Sequence, residues 1–434
     1  MIQFSPAASF LLFAARSFAA PSVILPLDKQ YVPLTRGDRV VAHKTAYFGR
    51  IYVGLPQHQE FTVVFDTGSA HVFVPSIACA NQTCQQHRRF DRSMSSSAVD
   101  IDHLGAPVPA DAEERDLVSI AFGTGEVVGE FVREVVCLSN HSGIKSAAES
   151  GDCVQLRVIL AGEMSDEPFR MFSFDGVIGL GLDALAVDPE FSFFGQMTKF
   201  KKQQEPRFGF FLSQIDSVPS EISFGGYDES RVQEPLRWAK VVRPELGHWQ
   251  VSIRSIKIGG IEMPWCSNGA CAGIVDSGTS LLGVPTKAAR EMHWKLARKV
   301  TGDPDKLDCR AVGGPMVVID LGGFEIELGP EDYSRPTAMQ AQNKATGQAQ
   351  IICRASLLPI DMDSLDDDKG APATMTWIFG EPILRKYYTV FDWKQREIGF
   401  SRSKQPEASE ISSSKHRVWG APSEQPQAPV LMQI

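Results

Sequence analysis

One short motif occurs twice in this 434-residue chain and constrains it more than any other feature. Phe65-Asp66-Thr67-Gly68-Ser69 returns as Val275-Asp276-Ser277-Gly278-Thr279. Each copy is an apolar strand ending in Asp, followed by a hydroxyl residue, Gly and a second hydroxyl residue. Roughly a hundred residues after each copy come two apolar residues and a glycine. These are Val177-Ile178-Gly179 and Ile378-Phe379-Gly380. The repeated order and spacing imply two related lobes, which the chain length also favours. A strand end fixes a carboxylate in space, and Gly allows backbone geometry that a larger residue resists. The hydroxyls can bond the carboxylate and the opposite lobe. Two lobes that each present one such Asp place two carboxyl groups side by side. Such a pair cannot ionise twice cheaply, so it shares a proton. The ionised member can take a proton from water while the protonated member donates to a carbonyl oxygen. That is general acid–base hydrolysis without a covalent intermediate.

The rest of the chain reads as all-β. Runs of β-branched and aromatic residues bounded by turn residues occur at 61–65, 72–74, 222–224, 251–258, 316–321 and 387–392. Helical patterning is sparse and clearest at 191–202 and 286–300. Hydrophobic residues at 43% and charged residues at 22% fit a globular protein. A net charge of −9 disfavours a nucleic-acid partner and an anionic membrane surface. No segment is long and apolar enough to predict a membrane span. Residues 1–19 read as a signal peptide, with the apolar run Phe10–Ala15 and small residues before a cut after Ala19. Residues 20–45 are left as a short pro-segment or N-terminal strand. The stretch 361–373 reads as an acidic surface loop, and 403–434 as a disordered tail rich in Ser, Pro, Glu and Gln.

The cysteines argue for an oxidising compartment. Cys79, Cys84, Cys137, Cys153, Cys266, Cys271, Cys309 and Cys353 fall into four neighbouring pairs, none spaced as CxxC, so disulfides are expected ahead of zinc. No metal or other cofactor is predicted. Two sequons, Asn81-Gln82-Thr83 and Asn140-His141-Ser142, are candidate glycosylation sites. No GxSxG motif is present, and paired cysteines leave no spare thiol nucleophile.

With these residues in view, the sequence resembles the pepsin-like aspartic proteases, the family of pepsin, cathepsin D and plasmepsin. The resemblance runs from about Ala46 to Ser401. It is carried by Ala46-Tyr47-Phe48-Gly49, Phe65 to Ser76, Asp175 to Gly181, Phe224 to Asp228, His248 to Val251, Ile274 to Pro285 and Trp377 to Phe400. It implies a bilobal fold of two β-barrel-like lobes with a joining sheet, here 46–222 and 223–402. It implies that Asp66 and Asp276 are the catalytic pair, with Thr67 and Ser277 as inner hydroxyls, Ser69 and Thr279 as outer ones, and Gly68 and Gly278 between them. It implies the disulfides Cys79–Cys84, Cys266–Cys271 and Cys309–Cys353, which leave Cys137 and Cys153 to each other. It also implies polypeptide substrates with hydrophobic residues around the scissile bond, inhibition by pepstatin-like compounds, a monomer, and a secreted, vacuolar, lysosome-like or vesicular destination.

The chain departs from the family pattern in two places. Ser119 to Gly125 matches the hairpin flap, with Phe122, Gly123 and Thr124 at its tip. Phe122 stands where the family usually has Tyr, as in some protozoan members, and Phe73 stands where it usually has Trp. Those two side chains hydrogen-bond in the family. Here flap and wall are expected to meet by ring packing, which gives a looser lid. The segment 20–45 is also short for a masking pro-segment. The competing functions are a non-catalytic peptide- or protein-binding member of the same fold and a two-carboxylate glycosidase. The first usually loses an active-site Asp. The second needs no duplicated loops and holds its carboxyl groups further apart.

Overall fold

The apolar run after Glu60 forms the strand Gln59–Asp66, and its alternation decides which side is core. Phe61, Val63 and Phe65 are fully buried, while Gln59 and Glu60 keep some contact with solvent. The computed structural model describes residues 23–36, 39–109, 112, 114–123, 125–141, 143–202, 204–304, 306–342, 347–361, 375–406, 418–419 and 431–432. The expected signal peptide and nearly all of the expected acidic loop lie outside these residues.

Strands dominate, as expected of an all-β fold. One large sheet runs through both lobes. Its middle is the junction: Arg207–Phe211 pairs with Ser220–Phe224, which pairs with Val23–Leu27. The chain from Asp28 to Arg36 then pairs with Arg39–Phe48. Residues 23–36 therefore stand in the sheet that joins the lobes. Tyr387–Asp392 flanks this junction on one side. Gln59–Asp66 flanks it on the other, through Arg39–Val53. Aromatic rings fill the core beneath. Phe208 stacks on Phe391 with centroids 4.7 Å apart, and Phe194 meets Phe208 edge-on at 4.8 Å. The second lobe adds smaller sheets, one of them ordered Gln250–Ile253, Cys271–Val275, Met375–Phe379, Leu282–Pro285 and Leu357–Ile360. The four disulfides join Cys79–Cys84, Cys137–Cys153, Cys266–Cys271 and Cys309–Cys353, the pairing the resemblance implies.

Tertiary pairing overrides local pattern in two places. The strand read at 251–258 is two strands, Gln250–Ile253 and Ser255–Ile258, which belong to different sheets and part at Arg254. The helix read at 286–300 stops at Leu296, because Arg298–Val300 pairs with Ile351–Cys353. The helix read at 191–202 is Phe193–Phe200, capped by the Ser192 hydroxyl. The chain also stays bonded to the second lobe past residue 402. Ser403 N donates to Lys386 O and Lys404 N donates to Arg231 O. Beyond Pro406 only Val418–Trp419 and Leu431–Met432 are described, so most of the expected tail lies outside the described residues. No helix among the described residues is long and apolar enough to cross a membrane.

Candidate active site

Each Asp sits where a strand leaves the core and turns. Asp66 ends Gln59–Asp66, and Asp276 follows Cys271–Val275. In both lobes a second strand runs parallel beneath the turn. Gly176–Gly179 pairs with Val63–Asp66, and Met375–Phe379 pairs with Cys271–Val275. The glycine that ends each apolar-apolar-Gly element now has a steric reason. A Cβ on Gly179 would lie 2.5 Å from the Ala70 backbone, and one on Gly380 would lie 2.3 Å from the Thr279 carbonyl oxygen. No real Cβ tolerates either approach. Backbone bonds complete the support, from Leu180 N to Asp66 O at 2.7 Å and from Asp276 N to Phe379 O at 3.1 Å.

The outer hydroxyls and turn amides hold the carboxylates. Gly68 N donates to Asp66 Oδ1 at 2.9 Å and the Ser69 hydroxyl to Asp66 Oδ2 at 2.6 Å. Gly278 N donates to Asp276 Oδ1 at 2.8 Å and the Thr279 hydroxyl to Asp276 Oδ2 at 2.6 Å. The inner hydroxyls cross between lobes. Thr67 Oγ1 donates to Val275 O at 2.8 Å and accepts from Ser277 N at 3.0 Å. Ser277 Oγ donates to Phe65 O at 2.7 Å and accepts from Thr67 N at 3.0 Å. Each inner hydroxyl is thus both donor and acceptor, and the two loops are locked reciprocally.

This lock brings the carboxyl groups together. A Cβ on Gly68 would stand 2.8 Å from Asp276 Oδ1, and one on Gly278 would stand 2.6 Å from Asp66 Oδ1. Each glycine is the gap through which the opposite carboxyl group approaches. Burial, and then the charge of Asp276, push the Asp66 carboxyl up to about 7 against the pull of its bonds from Ser69 and Gly68. Burial lowers the nearby His248 imidazole, and the charge of Asp66 partly opposes that.

The segment expected to form the flap is a hairpin of Leu117–Phe122 and Gly125–Cys137, with Phe122 opposite Gly125 at the tip. The Phe122 side chain and Thr124 lie outside the described residues, and with them the expected contact between Phe122 and Phe73. Gly123 is described and lies in the left-handed region at φ 53°. Phe73 is fully buried and meets Phe169 edge-on at 5.7 Å. Sequence reading missed two links from the N-terminal strands to the second lobe. Thr45 N donates to Ser280 Oγ at 3.0 Å, and Ser280 Oγ donates to Thr45 O at 2.8 Å. Tyr47 OH donates to Glu381 Oε1 at 2.7 Å. The one available signal was Ser280, a third hydroxyl residue where the first copy of the motif has Ala70.

Residues 46–403 match the family model described as eukaryotic aspartyl protease. Cathepsin E-B of Xenopus laevis is 29% identical over 361 residues, covering 82% of this chain and 79% of the relative. Gastricsin of Homo sapiens is 30% identical over 386 residues, covering 86% and 84%. Cathepsin D of Gallus gallus is 28% identical over 365 residues, covering 82% and 80%.

Proposed function

The chain belongs to the eukaryotic aspartyl protease family, and from that premise we propose that it hydrolyses peptide bonds with a water activated between Asp66 and Asp276. The observation that carries this reading is the mutual approach of each carboxyl group to the other lobe's glycine. At that range one proton serves both groups, and the raised Asp66 value keeps it there into the neutral range. The ionised member takes a proton from the water. The protonated member donates to the substrate carbonyl oxygen, and the tetrahedral species collapses as the amine leaves protonated. Thr67 and Ser277 set the separation of the loops. Ser69 and Thr279 steady the carboxylates and act as positioning residues.

Polypeptides are the substrate class. A preference for hydrophobic side chains around the scissile bond is supported by the partly exposed Leu281 beside the Asp276 loop and by the residue type at Phe122. The four disulfides fit a secretory environment, and we assign the enzyme to that pathway as a pepstatin-sensitive monomer. The test is hydrolysis of a denatured protein across an acidic pH series, with and without pepstatin. Cleavage should be abolished by pepstatin and by Asp276→Asn. Cleavage that persists in Asp276→Asn refutes the assignment.

A further inference from the structure

The fold treats the two sequons differently. Asn81 is consumed by structure. It precedes the short helix Gln82–Gln85 within the Cys79–Cys84 loop, where its Oδ1 accepts from Cys84 N at 2.9 Å. Its Nδ2, the atom a sugar would occupy, donates to Met164 O at 2.8 Å. Thr83, which completes the sequon, is 1% exposed, and its hydroxyl donates to Asp166 Oδ1 at 2.5 Å. A sugar on Asn81 would have to be accommodated against the end of the strand Cys153–Met164 while the loop closes its disulfide.

Asn140 is presented instead. It is exposed, and no hydrogen bond among the described residues engages its side-chain amide. The loop that carries it is pinned at several points. Cys137 and Cys153 are bonded at its base, and the His141 ring lies 2.5 Å from Asp152 Oδ1. The ring nitrogen Nε2 of His58 meets His141 O at 2.8 Å. Ile144 and Ala147 pack on Leu55 and Val135. Asn140 stands on the lip of a groove of about 850 Å³ that runs to the N-terminal strand. Pro26, Tyr52 and Leu138 contribute apolar lining to the groove, and Arg50, Arg88 and Asp28 contribute polar lining. An N-acetylated hexose has the same two characters, an apolar ring face and a hydroxyl and amide edge.

We propose that Asn140 carries an N-linked glycan, that Asn81 does not, and that the first sugar on Asn140 lies in this groove. The bond formed joins Asn140 Nδ2 to the anomeric carbon of an oligosaccharide carried on a lipid pyrophosphate. The sugar–phosphate C–O bond breaks, the lipid pyrophosphate leaves, and the amide proton passes to a base of the transferring enzyme. The donor and the transferring enzyme belong to the secretory pathway, the compartment the disulfides fit.

The test is expression of the full chain through a eukaryotic secretory pathway. The glycan is then removed by peptide-N-glycosidase in heavy-oxygen water, followed by peptide mass spectrometry. The label should appear at Asn140 and be absent at Asn81, and Asn140→Gln should abolish the single mobility step. A label at Asn81, or an unlabelled Asn140, overturns the site assignment, whether or not the chain hydrolyses peptides. The groove is read separately, by hydrogen exchange before and after sugar removal from the folded protein. Exchange of the 138–152 loop should rise several-fold after removal. Unchanged exchange overturns the groove contact.

Discussion

The floor formed by the two Asp turns and the hairpin expected to cover it are built to opposite standards. The carboxylates and the inner and outer hydroxyls of the two Asp turns all have partners, and the inner hydroxyls bond in both directions across the lobes. Among the described residues, the strand Leu117–Phe122 pairs with one neighbour, Gly125–Glu130. Leu117, Ala121 and Gly123 are exposed. Bringing two carboxyl groups together needs many mutually supporting contacts, because the pair resists its own approach. Admitting a polypeptide needs a hairpin that opens at little cost, and a hairpin with few buried contacts does so. The contrast predicts that equivalent changes will act very differently in the two places.

The largest effect should come from filling the gap between the carboxyl groups. In Gly278→Ala the new methyl would stand 2.6 Å from Asp66 Oδ1, so the pair must separate. A displacement of about 1 Å at reacting groups costs on the order of 10²-fold in rate. We expect kcat to fall by about that factor or more while pepstatin affinity falls with it. Steady-state kinetics with a peptide substrate checks this, and near-normal kcat would mean that the floor is softer than its bonding indicates.

Removing the cross-lobe lock should show mainly in stability. Thr67→Val keeps the shape of a fully buried side chain but strands Val275 O and Ser277 N. Each orphaned buried group costs about 1–3 kcal/mol, so a loss of roughly 2–6 kcal/mol is expected by denaturant unfolding. Ser277→Ala should be non-additive with it, because the two hydroxyls serve one another's loops.

How much of this was legible in the sequence follows the same division. The floor was legible because it is local and repeated. Asp, hydroxyl and Gly at strand ends, and the later glycines 179 and 380, each carry a residue type that the geometry demands. The links from Thr45 to Ser280 and from Tyr47 to Glu381 were not legible, since their residue types are common and their partners lie hundreds of positions away. The edge-on contact between Phe73 and Phe169 was hidden for the same reason, because the two rings meet only in the folded sheet. The break at Arg254 and the early end of the helix at Leu296 were set by sheet pairing, which local pattern does not contain.

The carboxyl pair also links the floor to pH. The folded value of Asp66, about 7, lies above its ordinary 3.8, so the folded state holds this proton more tightly than the unfolded chain does. That stabilisation is complete below about pH 4 and is lost as the pH rises to about 7. Asp66→Asn cannot ionise, so it escapes the loss. Its Tm relative to wild type should rise between pH 4 and pH 8 by a few °C or more, on the scale of about 2–4 °C per kcal/mol for domains of 150–250 residues. A difference that stays constant with pH would show that burial and the charge of Asp276 do not raise this group.

The smallest effect should come from the flap, at a glycine kept for a different reason. Gly278 is needed because a methyl would strike Asp66. Gly123 would meet nothing within 4 Å, but its φ of 53° is in the left-handed region. An alanine there costs about 1–2 kcal/mol of local strain and no clash. Because the hairpin tip is exposed and pairs on one side among the described residues, that strain should be relieved by opening the tip, leaving the cores intact. Gly123→Ala is therefore expected to leave Tm within about 1 °C. It should raise KM a few-fold with kcat nearly unchanged, the mark of a lid that closes less readily over an intact floor. A fall in kcat comparable to that of Gly278→Ala would show that the tip helps to order the catalytic pair, and the division between rigid floor and loose lid would fail.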